Sequence, residues 1–309
     1  MTLAYAPGKV ILFGEHAVVY GRPAIAVPVT EVRAQAQVER GPTGQGAVIV
    51  APDVGRRTRL TDASQDDPLA HTVRLVLDAI KVQRNPDVMI TITSTVPIAR
   101  GMGSGAAVST ALVRALAQYF ERWLSSRAIS ELVYQAEILY HGTPSGIDNT
   151  VVAFEKPIYF IRDEGWEVFW VGRPFLLAIA DTGVQSSTKD VVGDLRRRYD
   201  AEPARYVPLF DQAGKIAVAA RAAIEQGQIE MLGRLMNENH AVLQALGVSC
   251  PELDCLVTAA QEGGALGAKL SGAGRGGNMI ALVTEQVRGR VDMMLRLAGA
   301  TRVLFTEVC

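Results

Sequence analysis

A glycine-rich loop that runs directly into an apolar helical pattern restricts the fold more than any other segment. Residues 101–107 read Gly-Met-Gly-Ser-Gly-Ala-Ala, and apolar side chains then recur at helical spacing, at Val108, Ala111, Leu112, Ala115, Leu116 and Tyr119. A helix that begins at such a loop directs unpaired N–H groups and a partial positive charge at whatever the loop encloses. The segment therefore favours a bulky anion such as a triphosphate. A tight strand-to-helix turn without a ligand is the alternative.

Two other glycine motifs fit this loop less well. A P-loop needs a lysine directly after its last glycine, and no lysine follows Gly105. A dinucleotide fingerprint fits loosely at Gly101, Gly103 and Ala106, with Glu121 at the expected distance. That fingerprint belongs after the first strand of a fold, whereas this loop follows several predicted strands. An NAD-dependent oxidoreductase is therefore not expected.

A second glycine-rich loop, residues 272–277, also has the Gly-x-Gly-x-x-Gly spacing. The residues after it, 278–283, form an apolar strand-like run instead of an amphipathic helix, which contradicts a dinucleotide site. We expect a loop between two strands that approaches a substrate or a phosphate, with Gly272 and Ala273 as substrate-binding residues. A glycine-rich hairpin without a ligand is the alternative.

Apolar periodicity predicts strands and helices in a mixed order. Strands are expected at residues 10–13, 24–29, 31–39 and 88–93, within 151–172, and at 175–180, 267–270 and 279–283. Helices are expected at residues 72–80, after the first glycine loop, and at 129–140, 190–225 and 229–246. Because the elements interleave without a regular βαβ alternation, we expect an α+β fold of two domains. Pro174 marks the predicted boundary, which gives domains of residues 1–173 and 174–309.

Charge and cysteine content argue against several classes of protein. Lys plus Arg total 31 and Asp plus Glu total 32, so a net charge of -1 gives no broad attraction to nucleic acid or anionic lipid. No apolar stretch reaches the length of about 18 residues that predicts a membrane span. Glu15 and His16 interrupt the first apolar run, which argues against a signal peptide. The three cysteines show neither a disulfide framework nor zinc spacing, so a cytoplasmic protein is expected.

A few polar residues stand out near apolar segments, namely Lys9, Glu15, His16, Glu137 and Asp148. Each has an ordinary interpretation. Lys9 and Glu137 fit solvated charges, the Glu-His pair fits a turn, and Asp148 fits a cap within the dense turn of residues 141–149. The four histidines show no metal-ligand spacing. Taken one at a time, these residues do not establish a site.

Six segments in this order together resemble the GHMP family of small-molecule kinases, over nearly the whole chain. The family motifs are residues 6–21 (APGKVILFGEHAVVYG), 97–107 (PIARGMGSGAA) and 269–277 (KLSGAGRGG). Three more segments resemble the branch that phosphorylates mevalonate: residues 141–149 (HGTPSGIDN), residues 181–189 (DTGVQSSTK), and Asn239-His240 with residues 245–248 (ALGV). The resemblance implies an N-terminal domain like ribosomal protein S5 domain 2 and a ferredoxin-like C-terminal domain, with ATP and Mg²⁺ bound between them.

The resemblance also implies a reaction, the transfer of the γ-phosphoryl group of ATP to the 5-hydroxyl of mevalonate in isoprenoid biosynthesis. Asp148 matches the family's catalytic aspartate, Lys9 its lysine near the reacting hydroxyl, and Glu137 its acidic Mg²⁺ ligand. Such an aspartate can take the proton that an alcohol does not lose at neutral pH, and a lysine stabilises the alkoxide. Glu15, His16 and Thr188 match residues near the acceptor acid. The expected nucleotide-binding residues are Pro97, Arg100, Gly101, Met102, Gly103, Ser104, Gly105, Ala106 and Ala107.

Two positions depart from the family pattern. The family loop carries two consecutive serines after Gly-x-Gly, and the second contacts Mg²⁺. Here Gly105 takes the second place, so Ser104 or a water molecule would supply the missing ligand. Arg275 stands where a small residue is frequent, and it reaches a phosphate or a carboxylate or points to solvent.

The sequence leaves three questions open. The acceptor could be another small molecule, such as phosphomevalonate or a sugar, with Arg100 and Arg275 as additional cations for a phosphorylated one. The chain could instead be a nucleotide-binding relative without activity. A homodimer is left open as well.

Overall fold

The computed structural model describes residues 1–83, 85–98, 100–141 and 144–309, and at residues 140 and 141 it describes the backbone alone. The strands of this part are Thr2–Phe13 (β1), Ala24–Arg40 (β2), Val48–Ala51 (β3), Arg56–Arg59 (β4), Val88–Ser94 (β5), Ile158–Ile161 (β6), Gly165–Val168 (β7), Phe175–Asp181 (β8), Gly267–Ser271 (β9), Asn278–Val283 (β10) and Arg302–Val308 (β11). Its α-helices are Pro68–Ala79 (α1), Ser104–Tyr119 (α2), Ser126–His141 (α3), Ile147–Phe154 (α4), Thr188–Ala201 (α5), Pro203–Glu225 (α6), Ile229–Ala245 (α7), Pro251–Glu262 (α8) and Arg288–Leu297 (α9). The interleaved strands and helices confirm the α+β fold.

Local chemistry explains where several elements begin. The Asp67 carboxylate accepts a hydrogen bond from the backbone N–H of Ala70 (3.0 Å) and caps α1, with Pro68 at its first position. Pro203 opens α6 and thereby divides the helical stretch predicted at residues 190–225 into α5 and α6. The two strands predicted at residues 24–29 and 31–39 form one long strand, β2.

The strands predicted within residues 151–172 are only partly present. β6 and β7 form there, but the segment begins in helix α4, which was not predicted. Thr150, Val151 and Val152 are β-branched residues that favour a strand by propensity. In the structure all three are buried on α4, so packing overrides local preference.

The chain divides into two compact units, each assembled from separate segments. The first unit comprises Met1–Gly8, Val32–Ile98 and Gly103–Glu155. Within it β4, β3, β5 and the second half of β2 pair in that order, with β3 parallel to β5 and the other pairs antiparallel. Helices α1, α2 and α3 pack on one another, and α4 packs on α2 and α3.

The second unit comprises Lys9–Glu31, Ala99–Met102 and Lys156–Cys309. Its antiparallel sheet has the order β11-β8-β10-β9, and the first part of β2 pairs with β6, which pairs with β7. Strand β10 is buried along its whole length, because strands flank both of its edges and α8 packs on it. That position explains why its sequence is a continuous apolar run. The domain division at residue 174 stays a prediction.

Among the described residues, the helices are either too short or too polar to cross a membrane.

Candidate active site

In the first unit, the later part of the first glycine loop forms the beginning of α2. Gly103 is the N-cap residue, with φ of 70°, a left-handed conformation that glycine adopts without strain. Ser104 is the first helical residue, and α2 continues for 16 residues. Gly103 has no side chain to cap the helix, so the first N–H groups of α2 stay available for a ligand. Such a helix N-terminus suits a phosphate group.

The carboxylate of Glu137 lies directly beside this helix start. Glu137 is on α3 and only 4% exposed, so it is not a solvated surface charge. A β-carbon built on Gly105 would lie 3.0 Å from Oε1 of Glu137. The carboxylate therefore borders the space that a serine side chain at position 105 would occupy.

These residues fit a magnesium ion. Mg²⁺ binds oxygen ligands, usually one or two carboxylates together with substrate phosphates, and does not need an all-protein cage. A buried carboxylate next to a phosphate-binding helix start matches that requirement, with the half-buried Ser104 as a neighbouring hydroxyl. In the described part of the chain, no group of three or more His, Cys, Asp or Glu side chains forms a metal cluster.

Asp148 is in the first turn of α4, whose N-cap residue, Gly146, has a left-handed conformation with φ of 88°. The Asn149 side chain anchors this helix, since its Nδ2 donates to the backbone oxygen (3.1 Å) and to Oγ (2.9 Å) of Ser130 on α3. The Thr150 hydroxyl donates to the Gly146 carbonyl at 2.6 Å. These contacts fix the backbone on which Asp148 is carried. Gly142 and Thr143, from the same sequence motif, lie outside the described residues.

In the second unit, Lys9 is on β1 and only 3% exposed. Its backbone N–H donates to the Met102 carbonyl at 3.0 Å, which joins the first motif to the earlier part of the first glycine loop. Lysine is almost never buried unless it has a partner. The interpretation of Lys9 as a solvated charge is therefore wrong.

Glu15 forms a buried ion pair with Lys269 of β9. Lys269 Nζ also donates to the Leu270 carbonyl at 2.7 Å, whereas Glu15 Oε2 has no hydrogen-bond partner among the described residues. Burial raises the pKa of Glu15 and lowers the pKa of Lys269, because desolvation disfavours both charged forms. The ion pair opposes both shifts.

His16 is neutral at physiological pH. It follows the tight turn at Gly14, and its own φ is 61°. Its Nε2–H donates to the Ala273 carbonyl at 2.8 Å, and burial lowers its pKa to about 4. This bond places the proton on Nε2 and leaves Nδ1 as a hydrogen-bond acceptor.

The second glycine loop connects the antiparallel strands β9 and β10, as predicted. The Ser271 hydroxyl donates to the Ile11 carbonyl at 2.8 Å, and so ties the loop to the strand that carries Lys9. Gly274 has φ of 83°, and a β-carbon there would lie 1.9 Å from the Val248 carbonyl oxygen. Only glycine fits at this position.

The same loop also contacts the earlier part of the first glycine loop. Asn278 Nδ2 donates to the Arg100 carbonyl at 2.5 Å, and a β-carbon on Gly272 would lie 3.9 Å from the Gly101 Cα. Arg100 forms an ion pair with Asp181 at 3.2 Å. Ala99 lies outside the described residues. The second unit thus brings residues 9–16, residues 100–102 and residues 269–278 together.

Three more residues singled out from the sequence, Thr188, Pro97 and Arg275, have defined positions in the structure. Thr188 is the exposed first residue of α5, behind the cap residue Ser187. Pro97 is half-buried in the first unit. Arg275 reaches a carboxylate, that of Asp194, at 2.6 Å. Because Asp148 and Lys9 belong to different units, their cooperation stays a prediction.

The alternation of polar and apolar residues on β9 indicates part of this site, although none of the sequence predictions rests on it. Lys269 and Ser271 alternate with apolar residues on β9 and are buried at 0% and 5% exposure. Polar residues with a period of two in a fully buried strand indicate that one face contacts polar partners. The signal marks Lys269 and Ser271, but it does not identify Glu15 and Ile11 as their partners.

Comparison with known proteins identifies relatives over the whole chain. The profile of the GHMP kinases N terminal domain matches residues 69–156, and the profile of the GHMP kinases C terminal matches residues 220–291. The mevalonate kinase of Pyrococcus abyssi is 36% identical over 324 residues, which covers 98% of this chain and 95% of that protein. The mevalonate kinase of Saccharolobus solfataricus is 31% identical over 306 residues, with coverage of 97% and 94%.

Solved structures agree with these relatives. The crystal structure of L. major mevalonate kinase in complex with R-mevalonate matches with a TM-score of 0.86 at 31% identity, and the match covers 100% of this chain and 96% of that one. Methanococcus jannaschii mevalonate kinase matches with a TM-score of 0.87, covering 99% and 98%, and its 22% identity supports the fold alone.

Proposed function

The chain belongs to the GHMP kinase family, and from that premise we infer that it is a mevalonate kinase. It transfers the γ-phosphoryl group of ATP to the 5-hydroxyl of mevalonate, as an ATP-dependent small-molecule kinase. The observation that carries this function is the 36% identity to a mevalonate kinase over 98% of the chain. We place the enzyme in the cytoplasm. Size-exclusion chromatography would show whether it forms a homodimer.

Two arginines that could bind a phosphorylated acceptor already form ion pairs within the protein, which favours mevalonate. Arg100 and Arg275 are the cations that the sequence offers for the phosphate of an acceptor such as phosphomevalonate. Arg100 is paired with Asp181 at 3.2 Å, and Arg275 with Asp194 at 2.6 Å. If these arginines bound the phosphate of the acceptor, their ion pairs with Asp181 and Asp194 would have to break. A hydroxy acid with a single carboxylate and no phosphate leaves both ion pairs intact.

Asp148 is proposed as the base that accepts the proton of the acceptor hydroxyl. Its carboxylate is carried by a helix that Asn149 anchors to Ser130. Because the base is already held in place, less conformational entropy is lost when it is positioned against the hydroxyl. Lys9 is proposed to stabilise the alkoxide that forms as the proton leaves, because a buried ammonium acts strongly on a charge that develops nearby. The alkoxide oxygen then bonds to the γ-phosphorus, and the bond from that phosphorus to the β–γ bridging oxygen breaks.

The first glycine loop is proposed to hold the nucleotide phosphates. The start of α2 supplies unpaired N–H groups that face the phosphate oxygens. Glu137 and Ser104 would hold Mg²⁺, which when bound neutralises charge on the β- and γ-phosphates. The substrate-binding role of Gly272 and Ala273 belongs to the same proposal.

His16, Glu15 and Thr188 are proposed to contact the acceptor. A neutral His16 presents Nδ1 as an acceptor, which suits a hydroxyl group of the substrate. Glu15 Oε2, which has no partner in the described part of the chain, is a second acceptor in the same segment. Two acceptors of this kind favour a substrate with several hydroxyl groups.

A coupled assay of ADP release tests the function directly. The purified chain with ATP and Mg²⁺ is supplied with mevalonate, phosphomevalonate or galactose in parallel. We expect turnover with mevalonate and at least about tenfold lower kcat/KM with the other two. A preference for phosphomevalonate or galactose would reassign the acceptor. ATP binding without turnover of any acceptor would point to a non-catalytic relative.

A further inference from the structure

Arg275 adopts a backbone conformation that a residue with a side chain seldom adopts. Its φ is 54°, in the left-handed region, between glycines at positions 274 and 276 with φ of 83° and 133°. Glycine would adopt this conformation without strain. The presence of arginine therefore calls for a compensating contact.

The compensating contacts all lead from the glycine loop to neighbouring elements. Arg275 Nη2 pairs with Asp194 Oδ2 of α5 at 2.6 Å and also donates to the Gly247 carbonyl at 3.3 Å. The backbone N–H of Arg275 donates to the Val248 carbonyl at 2.8 Å. The Arg275 side chain thus joins the second glycine loop to α5.

Asp194 is a suitable anchor, because it is held from several directions. Arg198 contacts its Oδ2 at 3.1 Å and Arg197 contacts its Oδ1 at 3.3 Å, both from the same helix. Of the three arginines, Arg275 alone comes from outside α5. Asp194 lies six residues after Thr188, about 9 Å along the helix axis, so holding one limits the movement of the other.

A second set of contacts holds the chain just before α5. The Ser186 hydroxyl donates to the Gly274 carbonyl at 2.7 Å, and the Gly277 N–H donates to the Val184 carbonyl at 3.0 Å. The segment that leads into α5 therefore follows the glycine loop. These contacts hold the chain before the first turn of α5, and the Arg275–Asp194 ion pair holds the helix after it. The first turn is therefore fixed at both ends.

The arginines also influence the acceptor side of the protein electrostatically. Arg198 and Arg275 both contribute to lowering the pKa of His16, after the larger effect of burial. The two guanidinium groups and the Asp194 carboxylate together leave a net positive charge. Such a charge favours an anionic acceptor near His16.

We propose that the Arg275–Asp194 ion pair positions the start of α5, with Thr188, against the second glycine loop, and so determines affinity for the anionic acceptor. Arg275 is a positioning residue for the reaction. The inference about the acceptor rests on the proposed function, whereas the inference about helix position does not. The chemical step itself does not depend on Arg275.

Steady-state kinetics of three variants tests the acceptor part. Arg275→Gly removes the ion pair and suits the backbone, so we expect KM for mevalonate to rise about three- to fivefold, with kcat and KM for ATP within about twofold of the unchanged protein. Arg275→Lys keeps the positive charge, so its KM for mevalonate should lie between the values for the unchanged protein and for Arg275→Gly. The matched control is Arg197→Ala, which removes a different arginine from Asp194 and should leave all three constants unchanged. The same change in KM with Arg197→Ala, or no change with Arg275→Gly, would overturn the proposal.

Hydrogen exchange tests the positioning part without any substrate. We expect the amides of Asp190 and Val191, which donate to the Ser187 carbonyl, to exchange about fivefold faster in Arg275→Gly than in the unchanged protein, with the global Tm preserved. Unchanged exchange at these amides would overturn the role of the ion pair. If the unchanged protein turns over no mevalonate, the proposed function fails, and the exchange comparison still decides whether Arg275 holds the helix start.

Discussion

Glu15 and Lys269 lie 254 positions apart in the sequence and form an ion pair in which neither side chain reaches solvent, with exposures of 1% and 0%. Burying two charges costs free energy that their attraction offsets only when geometry and hydrogen bonding are favourable. Lys269 Nζ gains a further bond to the Leu270 carbonyl at 2.7 Å. The pair therefore joins the first family motif to the third at a cost that other contacts must offset.

Removing Lys269 alone should be strongly destabilising. We expect Lys269→Met to lower the free energy of unfolding by about 3–5 kcal/mol near pH 8, because Glu15 is left charged or must take up a proton. Burial raises the pKa of Glu15, and the loss of Lys269 raises it further. The folded variant then binds more protons than the unfolded chain, so its deficit should shrink as the pH falls towards about 5. Urea denaturation at the two pH values measures both effects.

The control for this prediction is the double variant Glu15→Gln with Lys269→Met. It removes both charges, so it should recover more than about half of the lost stability. If the double variant is no more stable than Lys269→Met alone, the cost does not come from an unpaired carboxylate.

His16 should make stability depend on pH in a predictable direction. Its pKa falls from 6.5 to about 4 on folding, mainly through burial. A lowered histidine pKa means that the folded state binds fewer protons, so the contribution is complete above about pH 6.5 and is lost as the pH falls through about 4. We expect a loss of about 3 kcal/mol over this window.

Comparison with His16→Asn isolates that contribution. Asparagine tolerates a positive φ and does not titrate in this range, but its amide is too short to replace the Nε2–H bond to the Ala273 carbonyl. The variant therefore loses a pH-independent amount of stability, and the change in stability with pH carries the comparison. His240, whose pKa burial also lowers, titrates in both proteins and cancels in the difference. Urea denaturation between about pH 7.5 and about pH 4.5 should show a steeper loss for the unchanged protein than for the variant. Parallel curves would contradict the assignment.

Sequence patterns predicted those parts of the fold that depend on near neighbours. The helix after the first glycine loop follows from helical periodicity, and the buried strand at residues 279–283 follows from a short continuous apolar run. Helix α4 was missed because Thr150, Val151 and Val152 favour a strand locally, and tertiary packing decided against that preference. Local patterns are thus least reliable where β-branched residues are buried on a helix.

The site could be predicted only where residues match a motif. Burial excludes a solvated charge at Lys9 and Glu137, but no spacing rule pairs Glu15 with Lys269 across 254 positions. The sequence marks Arg275 as a departure from the family pattern and leaves three destinations open for its side chain, namely a phosphate, a carboxylate and solvent. Its positive φ and its ion pair with Asp194, 81 positions away, both depend on the folded chain, and the sequence reveals neither.

The departure at Gly105 offers a test of metal binding. A β-carbon at this position would lie 3.0 Å from Oε1 of Glu137, so a serine would bring a hydroxyl next to that carboxylate. We expect Gly105→Ser to lower the free Mg²⁺ concentration at half-maximal activity about threefold, since it adds an oxygen ligand. Gly105→Ala is the matched control, because it fills the same space without a hydroxyl. Titration of Mn²⁺ in the presence of ADP reports binding without turnover. Equal affinities of the two variants would contradict a role for a hydroxyl here.

Gly274 should tolerate no side chain. A β-carbon there would lie 1.9 Å from the Val248 carbonyl oxygen, in addition to the strain of a φ of 83°. We expect Gly274→Ala to lower the free energy of unfolding by about 3 kcal/mol or more. Gly299→Ala is the control, because φ is 98° there but nothing lies within 4 Å, and about 1–2 kcal/mol is expected. Thermal denaturation of both variants measures the difference, and equal losses would mean that the approach to Val248 has no energetic consequence.

Asp148 provides the most direct test of the proposed chemistry. If its carboxylate accepts the proton of the acceptor hydroxyl, Asp148→Asn keeps the shape of the side chain and removes the base, so kcat should fall at least about 10²-fold. KM for ATP and the Tm should change little, because α4 is anchored through Asn149 and Thr150 and not through Asp148 alone. Asp62→Asn, at an exposed turn of the same unit, is the control and should retain full activity. If Asp148→Asn has a nearly unchanged kcat, a group other than Asp148 accepts the proton of the acceptor hydroxyl.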